Sequence, residues 1–126
     1  METHKDLIVW QQSVELVSSI YLMTKSFPHD EMFGLTSQIR RAIVSVPSNI
    51  AEGYARGTEK EKLHFLRIAS GSLSETETQL LLSLKLGYID QTRYGELSAE
   101  LTSVWRLLNA LISSVKRKSS SEENNS

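Results

Sequence analysis

The stretch YGELSAELTSVWRLLNALISSV, residues 94–115, decides the fold class. Its apolar side chains recur at alternating steps of three and four, the spacing that places them on one face of an α-helix. They are Tyr94, Leu97, Leu101, Val104, Leu108, Leu111 and Val115. The pattern predicts a long amphipathic helix, and Asp90 is placed to cap its start.

Helical spacing also governs the N-terminal part of the chain, where two apolar stripes lie side by side. One stripe contains Leu7, Trp10, Val14, Val17 and Tyr21, and the other contains Val9, Leu16, Ile20, Met23 and Phe27. So wide an apolar face predicts that the first helix makes contacts on two of its sides. We therefore expect self-association, with Trp10, Ile20 and Trp105 as candidate subunit-interface residues.

Two helices are predicted between these segments. The second runs to about Tyr54, and Pro47 within it predicts a kink, because proline removes a backbone donor and crowds the carbonyl four residues earlier. The third follows a capping box at residues 58–61 and ends near Gly87. Its slim middle, ASGS at 69–72, predicts close approach of another backbone. With short connections, the chain is expected to be all-α, an up-and-down antiparallel four-helix bundle.

Length and composition fit one domain. We assign residues 1–118 to the bundle and expect the polar segment SSSEENNS, residues 119–126, to be a disordered tail. There are no cysteines, which excludes disulfides and thiolate metal sites. The start METHKDLIVWQQ has the pattern of neither a signal peptide nor a membrane span. We expect a cytoplasmic protein without a membrane partner.

Three segments carry a resemblance to a known family. QIRRAIVSVPSNIAEG at 38–53, FLRIASGSLSETETQL at 65–80 and LGYI at 86–89 resemble the 23S rRNA intervening-sequence protein family of bacteria. The resemblance covers roughly residues 7–116. It implies a four-helix bundle that assembles into a ring-shaped homopentamer, with no established enzymatic activity and an unknown physiological role associated with RNA or a ribonucleoprotein.

A related branch of that family suggests an alternative function. It comprises accessory proteins of diversity-generating retroelements, which bind a reverse transcriptase and nucleic acid through a basic surface. The formal net charge of this chain is only −1, which does not favour nucleic acid. Basic residues nevertheless concentrate between residues 38 and 67, and the candidates for binding RNA, DNA or a nucleic-acid-processing partner are Arg40, Arg41, Arg56, Lys60, Lys62 and Arg67. Ion pairs to Glu52, Glu75 or Glu77 are the competing interpretation of Arg40 and Arg41.

Enzymatic function has one candidate motif, and it is incomplete. Glu61 and His64 have the Glu-x-x-His spacing of di-iron bundles, which need that motif twice. The remaining histidines, His4 and His29, cannot supply a second copy. We find no phosphate loop and no nucleophile motif. We therefore expect no catalytic residues, no metal, no cofactor and no small-molecule substrate.

Overall fold

The computed structural model describes residues 3–125, with their side chains through Ser121, and this part of the chain contains helices and no strand. The long helices are α1 (Ile8–Thr24), α2 (Leu35–Tyr54), α3 (Glu59–Lys85) and α4 (Gln91–Asn125). Single turns of 3-10 helix lie at His4–Asp6 and His29–Glu31. Each long helix packs on its neighbours in sequence, and α4 closes onto α1. The predicted all-α four-helix bundle is confirmed.

The core takes one face from each helix. Leu66, Leu73 and Leu80 of α3, which recur every seven residues, are fully or almost fully buried, and so are the central residues of the α4 pattern. On α1 the core stripe is the one containing Leu16 and Ile20, while Val14 and Tyr21 of the other stripe remain 37% and 38% exposed. The two stripes of α1 therefore have different environments, one inside the bundle and one at its surface.

Predicted start and stop signals are confirmed at three helix ends. Asp90 Oδ1 accepts a hydrogen bond from the Arg93 N–H at 2.8 Å. Thr58 Oγ1 accepts one from the Glu61 N–H at 3.1 Å, which is one of the two hydrogen bonds of the predicted capping box. At the end of α3, Gly87 has a φ of 77°, and the Tyr88 N–H donates to the Ser83 carbonyl at 2.9 Å. This arrangement satisfies a terminal carbonyl and reverses the chain.

Glu31 caps α2 and ties together the two loops at one end of the bundle. Its Oε1 accepts from the Leu35 N–H at 3.1 Å, and its Oε2 accepts from the Tyr88 hydroxyl at 2.6 Å. These two hydrogen bonds, with Tyr88 the larger cause, lower the pKa of Glu31. The hydrogen bond between the Tyr88 hydroxyl and Glu31 is also the largest cause that raises the pKa of Tyr88. A Cβ at position 34 would lie 2.7 Å from Glu31 Oε1, so a larger residue than Gly34 would collide with the carboxylate in this position.

Helix α3 crowds the backbone of α2 at Gly53, whereas nothing crowds Gly71 in the slim middle of α3. A Cβ on Gly53 would lie 3.1 Å from the Lys62 carbonyl oxygen, whereas a Cβ on Gly71 would meet nothing within 4 Å. At residues 69–72 the contact between α2 and α3 includes a pair of side chains, because the hydroxyls of Ser45 and Ser72 lie 2.8 Å apart.

Helix α2 is continuous from Leu35 to Tyr54, and Pro47 lies inside it. The Asn49 side-chain amide donates to the Ser45 carbonyl at 2.8 Å, one turn back along the helix. The kink at Pro47 stays a prediction.

The C-terminal segment corrects the sequence analysis. Residues 119–125, expected to be a disordered tail, continue α4, and Ser126 lies outside the described residues. No proline or glycine follows Gly95, and extending an existing helix costs far less than starting one. Within residues 3–125, no helix has a stretch sufficiently long and apolar to span a membrane.

Candidate functional sites

Arg40 and Arg41 point in different directions, as adjacent positions on a helix require. The Arg40 guanidinium packs on α1, where its Nε donates to Thr24 Oγ1 at 2.8 Å and its Cζ lies 4.6 Å from the centroid of the Tyr21 ring. This side chain is used within the bundle. Among the described residues it forms no ion pair with a glutamate. Its Nε and one face of its guanidinium are engaged, and its assignment as a nucleic-acid ligand stays a prediction.

Arg56 and Lys62 are also engaged, at the connection between α2 and α3. Arg56 stacks on the Phe65 ring and pairs with Glu52. Lys62 lies with its Nζ 4.3 Å from the centroid of the Tyr54 ring.

The same connection contains a partly buried acidic partner. Lys62 Nζ is 3.5 Å from Glu59 Oε1. Burial, and secondarily the Glu59 charge, raise the pKa of Tyr54. Much of the positive charge predicted at this loop is therefore balanced within the chain.

Lys60 and Arg67 lie together in a different place, a cleft between α3 and α4 that we call the basic cleft. It has a volume of about 390 Å³ and is lined by Lys60, Leu63, His64, Arg67, Lys116, Ser119 and Ser120. Of the side chains that the structure describes, three cationic ones and no carboxylate line it. Among the described residues, no ion pair is formed by Lys60, Arg67 or Lys116.

Sequence reasoning missed Lys116 as a member of this cleft. Its basic run at 116–118 is typical of a helix C-terminus, but α4 continues to Asn125 and the run lies inside the helix. Lys60 lies level with Ser119 and Ser120, so the last turn of α4 extends past the start of α3. Only the pairing of the two helices, which sequence spacing does not reveal, brings Lys116 to Arg67.

Arg41 is exposed and faces α3. It lines a cleft of about 340 Å³ between α2 and α3, which we call the α2–α3 cleft. The other lining residues are Gln38, Ala42, Ser45, Ser72, Glu75 and Gln79. The six predicted basic residues thus do not form one surface: three are engaged within the chain, two line the basic cleft, and Arg41 stands apart.

The three predicted subunit-interface residues have unequal access to solvent. Ile20 is fully buried in the core of the single chain, so its assignment to a subunit interface is corrected. Ile20 belongs to the stripe of α1 that faces the core, together with Leu16. Trp10 and Trp105 are half-buried and pack against the core, and Trp10 also meets the His4 ring edge-on at 5.1 Å between centroids.

The partly exposed stripe of α1 consists of Trp10, Val14, Val17 and Tyr21, and we call it the α1 outer face. Helix α2 borders it, because Arg40 stacks on Tyr21. One turn further along α2 lies Val44, which is 38% exposed. The surface is therefore an apolar strip along α1 that continues onto the neighbouring helix.

The metal hypothesis rests on two exposed side chains at the start of α3. Glu61 and His64 are one turn apart, and the His64 ring packs against Phe65 at 5.1 Å between centroids. Within the described part of the chain, no group of three histidine or carboxylate side chains converges as a metal site would require.

Comparison with known proteins agrees with the fold and with the signature segments. Residues 5–110 match the family described as 23S rRNA-intervening sequence protein. A crystal structure of a protein of unknown function from the S23 ribosomal protein family of Bacteroides thetaiotaomicron superposes with a TM-score of 0.75 at 26% sequence identity. The similarity covers 83% of this chain and 98% of that one. No curated protein matches. The chain belongs to the 23S rRNA-intervening sequence protein family.

Proposed function

We propose that this protein is a non-enzymatic helical adaptor that assembles with copies of itself in the cytoplasm. The observation that carries the proposal is the α1 outer face, where an aromatic and aliphatic strip remains partly exposed although a full core stripe lies beside it. Aromatic side chains at such surfaces supply much of the binding energy of protein interfaces. A second copy is the occupant we assign to this face, and the family resemblance favours five copies in a ring.

Assembly is tested by sedimentation velocity and light scattering at micromolar concentration. The expected species has five times the chain mass of 14.2 kDa. Val14→Glu is expected to shift the protein towards monomer, because the carboxylate would have to lose water at the interface. Val14 is exposed in the single chain, so the glutamate reaches solvent there and the fold is retained.

Leu22→Glu is the matched control. Leu22 belongs to the same helix and is 61% exposed, but it lies outside the α1 outer face. This variant is expected to assemble like the parent. A parent chain that is monomeric at micromolar concentration would end the proposal, and a Val14→Glu protein that assembles normally would remove the α1 outer face from it.

A second candidate function, association with RNA, is favoured by the basic cleft. Three cations that have no ion-pair partner among the described side chains line it, on a chain whose net charge is −1. If each neutralises one phosphate, the logarithm of the binding constant falls with the logarithm of salt concentration with a slope of about −2 to −3. The same cleft would serve the alternative role beside a reverse transcriptase, which in addition requires a protein partner.

The RNA test compares two triple variants of equal charge. Lys60, Arg67 and Lys116 are replaced by alanine in one, and the exposed Lys5, Lys25 and Lys85 in the other. Binding to labelled structured RNA and to single-stranded DNA is titrated at low and physiological salt. We expect the cleft variant to lose affinity and most of the salt slope, while the control keeps both. Equal losses in the two variants would mean that only net charge matters.

A further inference from the structure

The α2–α3 cleft lies outside both surfaces discussed above and has an unusual floor. Gln79 is only 7% exposed, and its Oε1 is a buried polar atom without a hydrogen-bond partner. Buried side-chain oxygens normally have partners, and an unpaired one is destabilising. A residue that lines the cleft therefore has a buried oxygen for which the described part of the chain supplies no partner.

The wall of the cleft supplies a free hydroxyl proton. Ser45 Oγ and Ser72 Oγ lie 2.8 Å apart, and Ser45 Oγ also accepts from the Asn49 side-chain amide at 2.8 Å. Two hydroxyl groups carry two protons, and the bond between them uses one. Whichever serine donates, one hydroxyl proton remains for a further acceptor.

Opposite charges stand at the rim. Arg41 comes from α2 and Glu75 from α3, and both line the cleft. They form no ion pair with each other or with any other described residue. A guanidinium and a carboxylate that face one cleft without meeting leave room for a group that carries both complementary charges.

We propose that the α2–α3 cleft binds a small zwitterion of the free α-amino acid class. The ligand carboxylate pairs with Arg41 and accepts the remaining serine proton. The ligand ammonium pairs with Glu75 and donates to Gln79 once its amide turns toward the cleft. A volume of about 340 Å³ is at the small end of ligand pockets and suits a molecule of this size. This inference is independent of self-assembly and of RNA binding.

Three probes of one size separate the charges. L-alanine carries both, L-lactate only the carboxylate, and L-alaninamide only the ammonium. Binding is followed by NMR chemical-shift changes of the Gln38 and Gln79 side-chain amides during millimolar titrations, and a panel of free amino acids then tests larger side chains. We expect saturable binding of the zwitterion, weakened roughly tenfold or more when either charge is removed.

Three variants test the assigned partners, and Glu77→Gln is the control. Arg41→Met and Glu75→Gln are each expected to weaken zwitterion binding roughly tenfold or more. Glu77 is exposed and two positions from Glu75, so it points away from the cleft and its replacement should change nothing. Gln79→Met is expected to raise the stability of the free protein while weakening binding, because it removes the unpaired oxygen.

Several outcomes would overturn the proposal. They are the absence of saturable binding for the whole amino-acid panel, equal binding of the singly charged probes, and loss of binding in the Glu77 control to the same degree as in the Glu75 variant. Thermal melting of each variant distinguishes lost binding from lost fold.

Discussion

Replacing Gly53 with alanine is expected to destabilise the bundle, whereas the same replacement at Gly71 is expected to stabilise it. Both glycines lie within helices and neither has a positive φ. Alanine therefore gains helix propensity at both positions, up to about 1 kcal/mol. At Gly71 nothing opposes the gain, because the new Cβ meets no atom within 4 Å.

The neighbours of Gly53 reverse the sign. The new Cβ would lie 3.1 Å from the Lys62 carbonyl oxygen and 3.2 Å from Phe65 Cβ, where ordinary contact begins near 3.4 Å. Both atoms belong to or adjoin the α3 backbone, so relief requires α3 to move away from α2. Overpacking of this kind costs about 1–3 kcal/mol. After the gain in propensity, the net change at Gly53 is a loss of roughly 0–2 kcal/mol.

The two variants are compared by urea unfolding, followed by circular dichroism at one fixed protein concentration because assembly adds to apparent stability. Since the propensity gain is common to both, the difference between their free energies of unfolding estimates the overpacking cost, about 1–3 kcal/mol. If Gly53→Ala proves as stable as Gly71→Ala, the close packing of α2 on α3 does not limit this position and the reasoning is refuted.

Two further predictions concern the loop between α3 and α4. Gly87→Ala should lower the free energy of unfolding by about 1–2 kcal/mol in urea titrations, because alanine is strained at a φ of 77° although no atom crowds it. Tyr88→Phe should flatten the pH dependence of stability, measured as melting temperature against pH. The lowered pKa of Glu31 means that its contribution is present above the ordinary carboxyl range and is lost as pH falls through the lowered value. The raised pKa of Tyr88 means that its contribution is present below the ordinary tyrosine pKa and is lost as pH rises through the raised value. The variant should lose the Tyr88 contribution to the alkaline arm, while Tyr54, whose pKa is also raised, keeps its own. It should keep part of the acid arm, since the Leu35 N–H still binds Glu31.

The helices were predictable because their apolar spacing and their end signals agree. Gly87, Asp90 and Thr58 act through local backbone geometry, which needs no knowledge of the rest of the chain. The inward stripe of α1 was not predictable in the same way. Both stripes have helical spacing and similar apolar content, so the choice between them depends on where α2 and α4 pack.

Candidate binding residues were harder to predict for a related reason. Closeness in sequence grouped Arg56 with Lys60, but an aromatic ring and a glutamate engage Arg56 while Lys60 turns to α4. The C-terminal segment is entirely polar, so it has no apolar periodicity from which a helix could be predicted. It is helical because it continues a helix that has already formed. Packing of α3 on α4 decides the position of Lys60, whereas Arg56 is engaged by residues close to it in the sequence.

The positions of the two proposed surfaces lead to a last prediction about RNA. The α1 outer face lies on the side of α1 and α2, and the basic cleft lies between α3 and α4. In a ring the α1 outer face meets a different surface of the next copy. We expect that surface to lie away from the basic cleft, so that assembly repeats an open cleft once per copy. Repetition raises the affinity for one long ligand well beyond that of a single weak site.

Val14→Glu should then weaken binding to a long RNA roughly 100-fold or more, while leaving binding to an oligonucleotide that spans one cleft within about twofold. Fluorescence anisotropy with matched long and short RNAs measures both quantities, and Leu22→Glu is the control. Equal loss on both RNAs would mean that Val14 acts on the cleft itself or on the fold. We expect the loss because three cations per cleft, unpaired among the described side chains, are too few for one near-neutral chain to hold a polyanion at physiological salt. No loss on the long RNA would mean that assembly and RNA binding are separate properties.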